Sequence, residues 1–224
     1  MTNIFENAKE VMYNNKEVKS ITTNNGGVIW KKEEPTYILS FNISVTGFSL
    51  NFSVNTVVDW GDGTTEELWA GGGTYHAYKD GKTTHDIIVT GKIPSLPNDM
   101  FYGQTINSIV LPDSITSIGN NCFKGCKNIT SIILPKNLKS IGQQAFKDSS
   151  FTNITIPKSV NSIGYKGFSL NHDCTIELFW ENEEIITCSS SVFETSYCTF
   201  RIPKGQKGNY INKGYPSNKL VERS

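Results

Sequence analysis

Three consecutive stretches of this chain can be laid over one another almost position for position, and that internal repetition restricts the fold more than any other feature. Residues 108–130 read SIVLPDSITSIGNNCFKGCKNIT, residues 131–152 read SIILPKNLKSIGQQAFKDSSFT, and residues 153–174 read NITIPKSVNSIGYKGFSLNHDC. The coincident positions are Ile109, Ile132 and Ile154; Leu111, Leu134 and Ile156; Pro112, Pro135 and Pro157; Ile118, Ile141 and Ile163; Gly119, Gly142 and Gly164; and Phe123, Phe146 and Phe168. A degenerate copy follows at residues 175–198, with Ile176, Leu178, Ile186 and Phe193 in the apolar slots, and a truncated copy precedes at residues 93–104, with Phe101 in the aromatic slot. Within each unit a short alternating β-branched run stops at proline, as a strand entering a turn does. A second apolar segment ends at glycine, and the aromatic closes the coil. One such unit cannot bury its own apolar edge, so the units are expected to stack into a solenoid whose end copies are atypical caps.

The pattern I-x-L-P-x-x-[IVL]-x-S-I-G-x-x-[ACG]-F, recurring every 22 or 23 residues, resembles the BspA-like leucine-rich repeat family. Residues 199–216 (TFRIPKGQKGNYINKGYP) also resemble that family's usual end, a last strand running into VPKG and a tyrosine-containing helical cap. Ile202, Pro203, Lys204, Gly205 and Tyr210 occupy those positions.

Upstream the texture changes. Ile38, Ser40, Asn42 and Ser44 interleave with Leu39, Phe41, Ile43 and Val45, a half-buried strand pattern with no helical period. Asp62-Gly63 and Asp80-Gly81 are turn signals, because both supply the positive-φ positions that tight hairpins demand. Short strands joined by such turns argue for a small β-sandwich. The residues Asp59, Trp60, Gly61, Asp62, Gly63 and Thr64, followed by His76 and Tyr78, resemble the PKD-like immunoglobulin-type domain, whose pattern is near W-x-F-G-D-G-T and then H-x-Y. The approach departs from that family in its short length and in Gly71-Gly72-Gly73. The resemblance implies a spacer or adhesive module.

Residues 11–32 carry hairpin grammar, with an alternating Val-Lys-Ser-Ile run and Asn-Asn-Gly-Gly before Val28, Ile29 and Trp30. A lone hairpin is marginal in water, which predicts a partner surface for it. The whole therefore reads as mainly β: an N-terminal hairpin or docking segment and linker at residues 1–35, a PKD-like β-sandwich at 36–91, and a BspA-like leucine-rich-repeat solenoid with short helical or 3-10 turns and a C-terminal cap at 92–224.

Chemistry finds little material in this sequence. Asp59 with Asp62 lacks the ligand spacing of a calcium loop, and an Asp beside a Gly is ordinarily an Asx turn. His76, between Tyr75 and Tyr78, reads as a packing residue at a strand end. Glu181, Glu183 and Glu184 read as a solvated loop. No nucleophile, metal or phosphate motif is present, so no cofactor and no catalytic residue is expected. Lys+Arg 21 against Asp+Glu 21 gives no net charge, which removes the electrostatic footprint of nucleic-acid binding. No stretch approaches the roughly 20 apolar residues of a membrane span, so membrane insertion is not expected. Residues 1–10 have no basic region followed by an apolar core, so no export signal is expected. Cys122, Cys126, Cys174, Cys188 and Cys198 are odd in number and irregular in spacing, and read as buried reduced thiols.

The solenoid offers the better surface. With Ile109, Ile132, Ile154, Ile176 and Phe200 inward, strand alternation sends Val110, Ile133, Thr155, Glu177 and Arg201 outward in one row, beside Ser131 and Asn153. The expectation is a non-enzymatic adhesion protein that contacts a host-surface or mucosal glycan or protein through this face. Two families implying extracellular recognition, joined without an export signal, suggest a phage virion component (tail fibre or capsid decoration). Residues 1–35 would dock it onto other virion proteins, through Tyr13, Val18, Ile21, Val28 and Trp30. The alternatives are a bacterial cell-surface BspA-type adhesin lacking its signal peptide and an accessory binding chain of a glycan-degrading system; homo-oligomerisation is compatible with each.

Overall fold

In a computed structural model of the protein, residues 20–22, 28–31, 38–182, 186, 192–193 and 197–224 are described. Strands β1 (Ser20–Thr22) and β2 (Val28–Lys31) are antiparallel, with Ile21 opposite Trp30 and Thr22 opposite Val28, as the hairpin grammar predicts. Tyr13 and Val18 of the expected docking set lie outside the described residues.

The alternating sequence that follows makes two facing layers. Strands β3 (Ile38–Ile43), β5 (Thr56–Asp59), β6 (Thr65–Leu68) and β8 (His85–Thr90) form one sheet, and β4 (Gly47–Asn51) pairs antiparallel with β7 (Gly73–Ala77) in the other. Side chains on alternate positions meet between the layers: Phe41 and Phe48 cross edge to face at 5.5 Å, among buried Leu39, Ile43, Leu50, Val58, Ile87 and Val89.

The repeats then wind two parallel ladders. One joins β9 (Ser95–Leu96), β11 (Ser117–Ile118), β13 (Ser140–Ile141) and β15 (Ser162–Ile163). The other joins β12 (Ser131–Ile133), β14 (Asn153–Ile156), β16 (Cys174–Leu178), β17 (Cys198–Ile202) and β18 (Leu220–Glu222). Each invariant slot of the unit has a physical cause. Proline cannot donate into the ladder and closes a turn instead, its carbonyl accepting from Ile115, Leu138 and Val160 N–H in the three copies. The glycines after each Ser-Ile strand are demanded by neighbouring backbone: a Cβ on Gly142 would sit 2.6 Å from Asn120 N. The phenylalanines are fully buried and form a continuous stack, Phe101–Phe123–Phe146–Phe168–Phe193, at centroid spacings of 5.2, 5.3, 4.9 and 5.7 Å.

The junction departs from the expected layout. The strand of the first full repeat, β10 (Ile106–Val110), pairs antiparallel with β3, opposite Phe41 at Ile109 and Ser40 at Val110. The truncated copy before it supplies no upstream first strand, and a bulge between Ile106 and Ser108 bends β10 along β3. Phe101 packs on Phe41 at 4.9 Å and on Phe48 at 5.9 Å, so the aromatic stack runs into the upstream layers. One hydrophobic core therefore extends from Leu39 to Leu220. An amide chain crosses the same seam: Asn128 donates to Asn107, Asn107 to Asn42, and Asn42 to Asp86.

The far end is closed by helix α1 (Lys207–Asn212) and a 3-10 turn (Ser217–Lys219), which return the chain as β18. Tyr210 is buried in this cap and its hydroxyl donates to Trp180 O at 2.9 Å. The expectation of reduced thiols is corrected at one pair. Cys174 and Cys198 are opposite one another on β16 and β17, Cα atoms 4.6 Å apart, and form a disulfide. Parallel register brings together two residues 24 apart in sequence, which spacing alone could not reveal.

Candidate binding face

The register of the β12–β18 ladder aligns Ile133 with Thr155, Thr155 with Glu177, Glu177 with Arg201, and Arg201 with Val221. Their in-line neighbours Ile132, Ile154, Ile176, Phe200 and Leu220 are buried, so alternation turns the first five outward. Ile133, the last residue of β12, is 88% exposed, an unusual state for a large apolar side chain on a strand. Ser131, Asn153, Thr175 and Thr199 are aligned in the adjacent row. Val110 is the exception among the expected residues. It sits opposite Ser40 on the upstream sheet and is 36% exposed, outside this row. The sequence reading also missed Val221, because β18 belongs to no repeat and only the cap geometry carries it into the ladder.

The face is graded along its length. Its first strand is apolar at Ile133, and its far end is charged: Arg201 donates to Glu177 at 2.9 Å, and the Arg223 guanidinium lies 3.8 Å from the centre of the half-exposed Phe179 ring. An exposed ion pair of this kind contributes about 0–1 kcal/mol to folding, leaving both groups free to exchange partners with a ligand.

The upstream Asp and His residues are spent on structure. Asp59 accepts from Gly61 N at 2.9 Å, and Asp62 Oδ1 accepts from Thr64 N and Oγ1, closing the Asp-Gly turn as an Asx turn does. Asp62 Oδ2 lies 2.7 Å from His76 Nε2, and His76 stacks on buried Trp60. Burial works against the ionised form of Asp62, but the hydrogen bonds from Thr64 and His76 prevail and hold its carboxyl down at about 2. Burial pushes the Cys122 thiol well up and the Cys126 thiol up to about 12, which disarms both as nucleophiles. Among the described residues no group of three or more His, Cys, Asp or Glu could hold a metal ion.

A family profile described as the BspA type leucine-rich repeat region matches residues 94–213 in 6 copies, more than half of the 224 residues. The chain belongs to the BspA-type leucine-rich repeat family. Among solved structures, the crystal structure of the T. pallidum leucine-rich repeat protein TpLRR is similar at 18% identity and a TM-score of 0.34, covering 64% of this chain and 82% of that one. No curated protein matches the chain. BspA-type repeats suggest a protein of the binding or adhesion type. The upstream layers lie largely outside the matched region.

Proposed function

We propose that this BspA-type repeat protein is a non-enzymatic adhesin whose β12–β18 face contacts a host-surface or mucosal glycan or protein. The observation that carries the reading is the row Ile133–Thr155–Glu177–Arg201–Val221, in which a large apolar side chain is held outward by register beside hydroxyl and charged groups. Such a patch, apolar and rimmed by polar groups, is a usual contact surface. Of the two settings considered for this role, the Cys174–Cys198 disulfide favours a cell-surface or other extracellular one, because such bonds persist in oxidising surroundings. A virion component assembled in a reducing cytoplasm, docked through residues 1–35, is the other setting.

The test is binding of the purified protein to immobilised mucin and to extracellular-matrix proteins by surface plasmon resonance. Burying an exposed isoleucine is worth about 1.5–3 kcal/mol, so Ile133→Asp is expected to weaken binding at least about tenfold, and Arg201→Glu to weaken it further. Binding unaffected by both substitutions overturns the proposed face, and release of sugar from mucin by the protein overturns the non-enzymatic reading.

A further inference from the structure

We propose that the open edge of β4, at the seam between the upstream layers and the repeats, is a docking site for an extended segment of a partner protein added as a further strand. The surface is separate from the β12–β18 face and does not depend on it. Among the described residues β4 belongs to a two-stranded sheet, paired with β7. Tyr78 N donates to Thr46 O and Gly71 N to Phe52 O at the two ends of that ladder. Antiparallel pairing alternates, so even-numbered residues of β4 direct their backbone groups at β7, and Gly47, Ser49 and Asn51 direct theirs away from it. Among the described residues these three N–H and three C=O groups make no hydrogen bond on that open side.

The edge borders a groove. Gly47 to Asn51 of β4, with Gly73 to Tyr75 of β7 beside it, form one wall, Pro97, Asn98, Asp99, Met100 and Gln104 of the first coil form the other, and the space between is about 700 Å³. Tyr75, 67% exposed, lies over Gly47, its hydroxyl where a Cβ of that residue would be. A groove with a row of unpaired backbone donors and acceptors along one side is matched by an occupant that presents the complementary row, which is an extended peptide. Its one charged lining residue is Asp99, which disfavours an acidic segment.

Comparison with the other edges sharpens the choice. β6 carries Glu66 and Glu67, and β18 carries Glu222, the charges by which edges resist added strands. β15 is two residues long. β4, reading Gly-Phe-Ser-Leu-Asn, has five residues, no charge and no proline; β7, the other edge of its sheet, also lacks acidic, lysine, arginine and proline residues, but only β4 borders the groove along its whole length.

The experiment uses the full chain, isotopically labelled, titrated with acetyl-Thr-Val-Thr-Val-Lys-amide and with a copy N-methylated at alternate residues. The expected result is amide shifts centred on Gly47, Ser49 and Asn51, and at least tenfold weaker binding by the N-methylated peptide. Ser49→Pro removes an outward N–H without touching the β7 ladder and is expected to cost at least tenfold. In the free protein the Ser49 and Asn51 amides are expected to exchange faster with solvent than those of Phe48 and Leu50. The proposal is overturned by absent peptide binding, by equal binding of the methylated copy, by shifts confined to the Ile133 row, or by equal protection of odd and even β4 amides. Shifts at the same amides with chitotetraose and none with peptide would assign the groove to a glycan instead.

Discussion

Phe101→Ala tests whether the upstream layers and the repeats are one cooperative body. Phe101 is fully buried, packs against Phe41 and Phe48 upstream and stacks on Phe123 downstream at 5.2 Å. Truncating a buried phenylalanine costs about 3–5 kcal/mol from lost transfer energy and the cavity left behind. Taking about 4 kcal/mol against a total stability of about 5–15 kcal/mol, the opening equilibrium of any unit containing Phe101 rises by roughly a thousandfold. Amide exchange read by mass spectrometry resolves which unit that is. The expected outcome is that peptides covering β5 and β8, and peptides covering β14 and β16, lose protection by the same factor. Loss confined to one side of residue 92 would refute the shared core and restore two independently folding parts.

Gly142→Ala places a Cβ 2.6 Å from Asn120 N and is expected to lower Tm by forcing adjacent coils apart, whereas Gly208→Ala, with nothing within 4 Å in helix α1, is expected to raise stability by about 0.5–1 kcal/mol in urea unfolding. The Asp62 carboxyl titrates lower folded, at about 2, than unfolded, so its contribution is present above about pH 4 and is lost as pH falls towards 2. Asp62→Asn is expected to flatten that limb of the midpoint-against-pH curve, and an unchanged limb would discount the His76 and Thr64 bonds. Reducing the Cys174–Cys198 disulfide, which spans 24 residues, is expected to cost about 3–4 kcal/mol by the loop-entropy relation, with intact mass before and after reduction counting the bond.

The repeat part of the fold was legible because its constraints are local and recur: the same proline, glycine and phenylalanine slots solve the same packing problem in each coil. Ile133, Thr155, Glu177 and Arg201 could be placed on one row for the same reason, since strand alternation and a fixed period determine both face and register. What escaped was decided by pairing across the seam. Nothing near Val110 in sequence says that β3, far upstream, will capture its strand, and β18 carries no repeat signature to announce Val221. The Cys174–Cys198 bond likewise follows from register between two strands, one of them reached through a degenerate copy.

The capture of β10 by β3 has a consequence for recognition. A parallel solenoid begins with a strand that lacks a neighbour, and an unpaired leading strand invites edge-to-edge association. Pairing β10 with β3 takes the first repeat strand into the upstream sheet, so the upstream layers cap the N-terminal end of the solenoid while β12 remains the leading edge of the outward ladder. It also subtracts one strand from the outward ladder, which then begins at β12 with Ile133, next to the seam, and ends at β18 with Val221. Five strands span about 19 Å at the usual spacing between neighbours, enough for a short linear epitope and too little for an extended fibre contact. Because the row opens on apolar Ile133 and the charged groups of its far part, Glu177 and Arg201, are paired with one another, a uniformly anionic glycan finds no matching charge along it. A neutral sugar or a peptide with one apolar anchor near Ile133 fits the gradient better, and that contrast is what the mucin and matrix-protein arms of the binding test separate.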